Sequence, residues 1–222
     1  MLAIFDLDGT LLNTAEDLGN AVNHTLRAHG LPVHGIPEYR MMVGRGMRNL
    51  VKAALPQDRQ DDGFVDGFLK EFLDYYVSHI DDRTVPYPGI CGMLDTLNAA
   101  GVKIAVASNK LQQGTEHLIN GFFPGIPFVA ICGNSPEFPL KPDAALVRYI
   151  MDKAGESEAT TVMVGDSGID IRTAKNAGIR MIAVSWGFRP KEDLTDADVI
   201  ADNAADVVSA ILTTSALQPQ QP

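Results

Sequence analysis

The 222-residue sequence has only two cysteines, one tryptophan and no long apolar segment. Cys91 and Cys132 do not form a Cys-x-x-Cys pair, so we expect two buried, reduced thiols and no disulfide. No apolar run approaches the ~18 residues of a membrane-spanning helix, and the apolar start reaches Asp6 without the basic region of a secretory signal. These absences predict a cytoplasmic protein.

Positive charge is also scarce, because 18 Lys and Arg face 28 Asp and Glu and give a net charge of −10. Such a surface argues against nucleic acid or an anionic membrane as the main partner. An anionic small molecule would be repelled on average, so local basic groups would have to capture it. With 45% hydrophobic residues, the chain can bury one substantial core and a smaller one.

The most informative motif lies at the start of the chain, where an apolar run ends in Asp6, followed by Asp8, Gly9 and Thr10. In an extended chain, residues two apart point to the same side, so both carboxylates would face one point beyond the carboxyl end of a strand. Their repulsion must be offset by a cation, a shared proton or a substrate charge. The alternative is an ordinary turn with two exposed acids.

Three further polar motifs each stand at a strand end or in a loop just before a helix. They are Ser108-Asn109-Lys110, Lys141-Pro142 and Gly165-Asp166-Ser167-x-x-Asp170. Strand and helix patterns alternate over this part of the chain, which predicts a doubly wound parallel α/β sheet. Because the carboxyl ends of parallel strands open on one edge, we expect the four motifs to converge there.

This ordered set of motifs resembles the haloacid dehalogenase superfamily, most closely its small phosphatases of the phosphoglycolate phosphatase type. The spacing of the motifs accounts for nearly all of the chain up to about Leu212. The resemblance implies a Rossmann-like catalytic core with an inserted all-helical cap domain. It also implies a hydrolase whose partner is a small phosphorylated metabolite, and we expect a monomer or a homodimer.

The segment between the first motif and the second strand fits such a cap, because it shows no strand pattern and several apolar stripes at helical spacing. The strongest stripe is aromatic and runs from Phe64 to His79; we interpret it as packing core rather than a cofactor site. The predicted domains are a catalytic core over residues 1–14 and 84–212, the cap over 15–83 and a disordered tail over 213–222.

The resemblance assigns the chemistry to carboxylates. Asp6 is the nucleophile that forms an aspartyl-phosphate, and Asp8 protonates the leaving alkoxide and later deprotonates the hydrolytic water. The cofactor is Mg²⁺, which Asp6, Asp166 and the backbone carbonyl of Asp8 would hold. Asp170 could bind the metal directly or through water, or it could instead cap a helix that starts near Ile171.

Four residues are expected to bind the phosphoryl group: Thr10, Ser108, Asn109 and Lys141. The hydroxyls are donors and Lys141 supplies fixed positive charge, although it could also be a solvated loop lysine. Arg45 and Arg48 in the cap could meet a substrate carboxylate, since a guanidinium matches a carboxylate in bidentate fashion. The alternative is that one or both are solvated surface arginines.

We therefore interpret the chain as a Mg²⁺-dependent phosphomonoester hydrolase similar to phosphoglycolate phosphatases. Alternatives within the superfamily are a phosphosugar mutase, a pyrophosphatase and a nucleotidase. A non-catalytic phosphorylatable signalling module is the alternative from another class. Such modules are usually single ~120-residue units with the phosphoacceptor on a later strand, whereas this chain has its acids at the first strand and carries an insert.

Overall fold

The computed structural model describes residues 1–216. Eight strands occur in this part of the chain: β1 (Leu2–Phe5), β2 (Leu12–Asn13), β3 (Val85–Pro86), β4 (Lys103–Leu111), β5 (Phe128–Asn134), β6 (Thr161–Gly165), β7 (Arg180–Val184) and β8 (Val199–Ala201). The α-helices are α1 (Ala15–Ala28), α2 (Ile36–Met42), α3 (Met47–Ala54), α4 (Asp62–Tyr76), α5 (Ile90–Ala99), α6 (Gln112–Phe122), α7 (Ala145–Ala154), α8 (Gly168–Ala177) and α9 (Ala204–Ala216).

The main sheet has six strands in the order β5-β4-β1-β6-β7-β8, and every neighbouring pair is parallel. Successive residues of each strand enter two apolar clusters on opposite faces, as the two-residue period of a strand requires. Side chains of α5 and α9 cover one face, and side chains of α7 and α8 cover the other. The predicted doubly wound α/β fold is confirmed.

The helices α1 to α4 lie between β2 and β3 and pack on one another, and their buried side chains join the cluster on one face of the sheet. The short strands β2 and β3 pair antiparallel, so the chain leaves and re-enters the sheet at one place. There the Asp17 carboxylate accepts hydrogen bonds from the backbone N–H groups of Arg83 and Thr84 at 2.8 to 3.0 Å. We keep the name cap for residues 15–83.

Several local expectations differ from the structure. Cys91 is exposed and Cys132 is only partly buried, although both cysteines are free. The aromatic helix α4 ends at Tyr76, three residues before the end of the aromatic stripe. The helices α2 and α6 and the edge strand β8 had no clear sequence signal. Helix α9 continues to Ala216, four residues into the predicted tail; the rest of that tail, residues 217–222, lies outside the described residues.

No helix between residues 1 and 216 is both long enough and apolar enough to cross a membrane.

Candidate active site

Three adjacent strands bring the sequence motifs to one edge of the sheet. Asp6 directly follows β1, and Asp166 directly follows β6 on one side of it. On the other side, β4 extends through Ser108 and Lys110 with a register irregularity after Ala107. The predicted convergence therefore follows from the central position of β1 between β4 and β6.

The centre of the site is a buried cluster of three carboxylates. Asp6, Asp166 and Asp170 each place one oxygen within 4.8 Å of the others, and all three side chains are buried. The Lys141 ammonium lies 2.9 Å from Asp6 Oδ1 and 2.7 Å from Asp170 Oδ1. One ammonium thus contacts two of the three acids, which leaves the cluster with excess negative charge.

The pKa values of the acids reflect this imbalance. Burial raises the pKa of Asp6 to about 7, with Lys141 lowering it in part and Asp170 raising it further. Burial, followed by the charges of Asp170 and Asp6, raises the pKa of Asp166 well above its usual range. Burial by itself would lower the pKa of Lys141, but the two aspartates that it contacts raise it overall. The site therefore favours an added positive charge, either protons or a cation.

Asp170 has a different place in its helix from the one expected. Helix α8 starts at Gly168, not near Ile171, and Ser167 is its N-cap residue. Asp170 Oδ2 accepts hydrogen bonds from Ser167 N–H at 3.2 Å and from Ser167 Oγ at 2.6 Å, while Oδ1 contacts Lys141. Asp170 thus caps the helix from its third residue, as in a capping box, and holds Lys141 at the same time.

Asn109 was expected to bind phosphate, but its side chain is bonded to two loops. Its Oδ1 accepts the Lys141 N–H at 2.8 Å, and its Nδ2 donates to the carbonyls of Lys141 and Gly44 at 3.0 and 2.9 Å. A buried amide must satisfy both ends, and these partners do so. In this structure Asn109 fixes the backbone of the lysine loop and ties it to the cap.

Thr10 and Ser108 lie beside the carboxylates with donor capacity to spare. Thr10 Oγ1 is buried and has no hydrogen-bond partner among residues 1–216. Ser108 Oγ accepts the Lys110 N–H at 3.2 Å, which leaves its own proton available. An unpaired buried hydroxyl is costly unless a ligand satisfies it, so Thr10 marks a place for an acceptor oxygen.

Asp8 is held from two directions. Its Oδ1 accepts a hydrogen bond from Thr14 Oγ1 at 2.7 Å and lies 3.1 Å from the Lys110 ammonium. Lys110 also donates to the hydroxyl of Tyr76 in the cap at 2.6 Å. Neither Lys110 nor Tyr76 was predicted as a site residue. The available signal was a lysine at the end of the Ser108-Asn109-Lys110 motif, directly after a buried apolar run, since lysine is rarely buried without a partner.

The loop after β7 closes the Asp166 side of the site. The Phe188 N–H donates to Asp166 Oδ2 at 2.6 Å. Gly187 lies so close that a Cβ there would stand 2.6 Å from the Gly9 carbonyl oxygen and 2.5 Å from Asp166 Oδ2. Only a glycine fits such an approach. This loop had no motif in the sequence.

The two cap arginines lie apart from the carboxylates. Arg48 forms ion pairs with Asp62 and Asp66 of α4 at 2.7 and 2.8 Å, within the cap. Arg45 is exposed and lines an open groove on the cap, whereas its neighbours Gly44 and Gly46 line a cavity beside Asp8.

A third arginine, Arg189, crosses from the core to the cap. It follows β7 in the chain, and its guanidinium donates to the backbone carbonyls of Arg40, Met41 and Val43. The carbonyl of Gly44, the next residue, is the one that Asn109 Nδ2 contacts. The cap loop is therefore held over the site from two sides.

Comparison with known proteins agrees with this geometry. The haloacid dehalogenase-like hydrolase family profile matches residues 3–184. The phosphoglycolate phosphatase of Agrobacterium fabrum is 36% identical over 215 residues, which cover 95% of this chain and 91% of the relative. That of Caulobacter vibrioides is 35% identical over 216 residues, covering 94% and 90%. The crystal structure of a phosphoglycolate phosphatase candidate from Lactobacillus delbrueckii subsp. bulgaricus superimposes with a TM-score of 0.88 at 31% identity, covering 95% of this chain and 97% of that one.

Proposed function

Since this chain belongs to the haloacid dehalogenase-like hydrolase family and is a phosphatase, we propose that it hydrolyses a small phosphomonoester in a Mg²⁺-dependent reaction through an aspartyl-phosphate on Asp6. The observation that carries this proposal is the buried cluster of Asp6, Asp166 and Asp170 around a single lysine. Such a cluster is unfavourable as packing, but it can hold a divalent cation, and that cation would neutralise the phosphate dianion that Asp6 attacks.

A divalent cation fits the residues present. Three carboxylate oxygens within 4.8 Å match the oxygen ligands that Mg²⁺ prefers. Burial and, to a smaller extent, the charge of Asp170 raise the pKa of Asp6, so the site favours an added positive charge. Asp6 and Asp166 would hold the cation with the backbone carbonyl of Asp8, as the family resemblance implies. Bound there, Mg²⁺ would offset the charge of a phosphate dianion close to Asp6. Both oxygens of Asp170 already have partners, so we assign it to holding Lys141.

The contacts of Asp6 support a role as the nucleophile. Its Oδ1 is fixed by the Leu7 N–H at 2.7 Å and by Lys141 at 2.9 Å. Its Oδ2 accepts no hydrogen bond from the described part of the chain, so a lone pair is free to form the bond to phosphorus. Lys141 and the hydroxyls of Thr10 and Ser108 would bind the phosphoryl oxygens, and attack then displaces the alkoxide.

Asp8 would handle the protons. It stands two residues after the nucleophile, and its Oδ1 is anchored by Thr14 and Lys110. In the first half-reaction it would give a proton to the departing alkoxide, and in the second it would take one from the water that cleaves the aspartyl-phosphate. One group serves both steps because each step leaves it in the state that the next one needs.

The substrate that we propose is a small phosphorylated metabolite of the phosphoglycolate type. Support comes from the names of relatives that are 36% and 35% identical over more than nine tenths of the chain. Among the two arginines considered for its carboxylate, Arg48 is committed to Asp62 and Asp66, so Arg45 is the better candidate. The net charge of −10 is consistent with a small-molecule partner rather than nucleic acid or a membrane. We propose that the active protein is a monomer or a homodimer.

The test is phosphate release by the purified protein from phosphoglycolate, a sugar phosphate, a nucleoside monophosphate and pyrophosphate, each with Mg²⁺ or excess chelator. We expect multiple turnovers, fastest on phosphoglycolate, that stop on chelation and return with Mg²⁺. Asp6→Asn should abolish turnover at nearly constant volume, and Asp74→Asn on the exposed side of α4 is its control. Phosphorylation of one equivalent without turnover would instead identify a signalling module, and full activity in chelator would contradict the metal role.

A further inference from the structure

Lys110 is a fully buried ammonium that joins the core to the cap. Its side chain has 0% exposure, and its Nζ lies 2.6 Å from the Tyr76 hydroxyl and 3.1 Å from Asp8 Oδ1. Desolvation of a lysine is expensive, and it is offset only by well-placed partners. The two partners come from different parts of the fold, since Asp8 follows β1 and Tyr76 is the last residue of α4.

The bonds to Asp8 distinguish its two oxygens. Both the Thr14 hydroxyl, at 2.7 Å, and the Lys110 ammonium, at 3.1 Å, donate to Oδ1. Oδ2 accepts no hydrogen bond from any residue between 1 and 216. Because an ammonium is only a donor and Thr14 donates here, Oδ1 acts as an acceptor in both bonds. A proton carried by Asp8 must therefore reside on Oδ2.

Tyr76 keeps the ammonium in place. Its ring is buried and stacks on Phe72 of the same helix, with ring centroids 5.4 Å apart and an interplanar angle of 13°. Its hydroxyl is the shorter of the two contacts of Lys110. A lysine side chain is long and flexible, so with one partner removed its ammonium would move among several rotamers.

We propose that Lys110 and Tyr76 are positioning residues for Asp8, which hold Oδ1 so that Oδ2 is the oxygen that delivers the proton to the leaving alcohol. The cap then contributes to proton transfer through the Tyr76 hydroxyl, besides enclosing the substrate. The inference rests on the proposed phosphatase function and on the general-acid role of Asp8.

Tyr76→Phe is the decisive variant, because it removes one oxygen and keeps the stacked ring. We would compare kcat/KM for phosphoglycolate, an alkyl ester, with that for p-nitrophenyl phosphate, whose leaving group departs without a proton. This quantity covers the steps up to departure of the alcohol and excludes breakdown of the phosphoenzyme. The expected result is a loss of roughly 3- to 10-fold on phosphoglycolate and less than about 2-fold on the aryl ester, the range for one hydrogen bond.

The matched control is Tyr75→Phe, which removes a hydroxyl from the neighbouring residue of α4. The Tyr75 ring stacks between the rings of His24 and His79, with centroid distances of 3.8 and 3.9 Å, and does not contact Lys110. The kcat/KM values of Tyr75→Phe for both esters should therefore equal those of the wild type. Lys110→Met should lower the alkyl value more than Tyr76→Phe does. If Lys110→Met does not fold, the losses of Tyr76→Phe on the two esters test the proposal without it.

Equal losses on both esters in Tyr76→Phe would overturn the proposal, because they would mean that the tyrosine supports phosphate binding or cap packing. No loss on either ester would overturn it as well, while leaving the proposed function intact. A wild-type enzyme that hydrolyses neither ester with Mg²⁺ would overturn the proposed function, and this inference with it.

Discussion

The buried acids should make the metal-free protein less stable as the pH rises. In the folded state burial raises the pKa of Asp6 to about 7, against an ordinary value of 3.8 in the unfolded chain. The folded protein therefore binds this proton more tightly than the unfolded chain does. The resulting stabilisation is complete below pH ~4 and is lost as the pH rises through ~7, since ionised Asp6 must then share its site with Asp166 and Asp170.

The size of the effect follows from the shift. A rise of the pKa by about 3 at 1.36 kcal/mol per unit gives an upper figure of ~4 kcal/mol for Asp6, and about 2 kcal/mol of this is lost between pH 5 and 7. Proteins of this size unfold with free energies of about 5–15 kcal/mol, so the loss would be large. Mg²⁺ at 100 times its dissociation constant would raise the free energy of unfolding by about 2.7 kcal/mol, and only at a pH at which the carboxylates are ionised.

The assay is urea unfolding between pH 5 and 8, in chelator and in Mg²⁺, for the wild type and Asp6→Asn. In chelator, the free energy of unfolding of the wild type minus that of Asp6→Asn should fall by about 2–3 kcal/mol over this range. Asp74→Asn removes an exposed charge from α4 and should leave the difference from wild type constant. A difference between wild type and Asp6→Asn that is the same at pH 5 and pH 8 would refute the reasoning.

Three further substitutions probe the site. Lys141→Met should lower the free energy of unfolding in chelator by about 3–5 kcal/mol, measured by urea unfolding, because it leaves two buried acids without their cation. Gly187→Ala should raise the Mg²⁺ concentration for half-maximal activity by about 10-fold, because the added Cβ would displace the Asp166 carboxylate. The control Gly125→Ala should leave this concentration unchanged, because a Cβ there meets open space. Arg45→Ala should lower kcat/KM for phosphoglycolate by roughly 10- to 100-fold and barely change kcat/KM for an aryl phosphate. The control Arg48→Ala should leave both values unchanged, because Arg48 is paired within the cap. Equal losses on the two esters in Arg45→Ala would contradict recognition of the substrate carboxylate.

The sequence determined the architecture and the position of the chemistry. Strand and helix periods are local properties, so their alternation along the chain predicted the doubly wound sheet that the structure shows. Polar residues directly after apolar strands can also be recognised from the local sequence, and a parallel sheet must bring the ends of its neighbouring strands together. Asp6, Asp166 and Lys141 could therefore be assigned to one site before any contact was known.

Only the tertiary structure decided which polar atoms are already satisfied. Asn109 and Gly44 are 65 residues apart, and their hydrogen bond ties a side chain predicted to bind phosphate to the cap loop. Lys110 meets Tyr76 and Asp8 across 34 and 102 residues, and no pattern along the chain encodes either contact. Whether a polar atom is left unpaired depends on segments that are distant in sequence. Residue type and spacing indicate the chemistry that a residue can perform. Packing decides which hydrogen-bond partners it has, and these partners determine its role in the site.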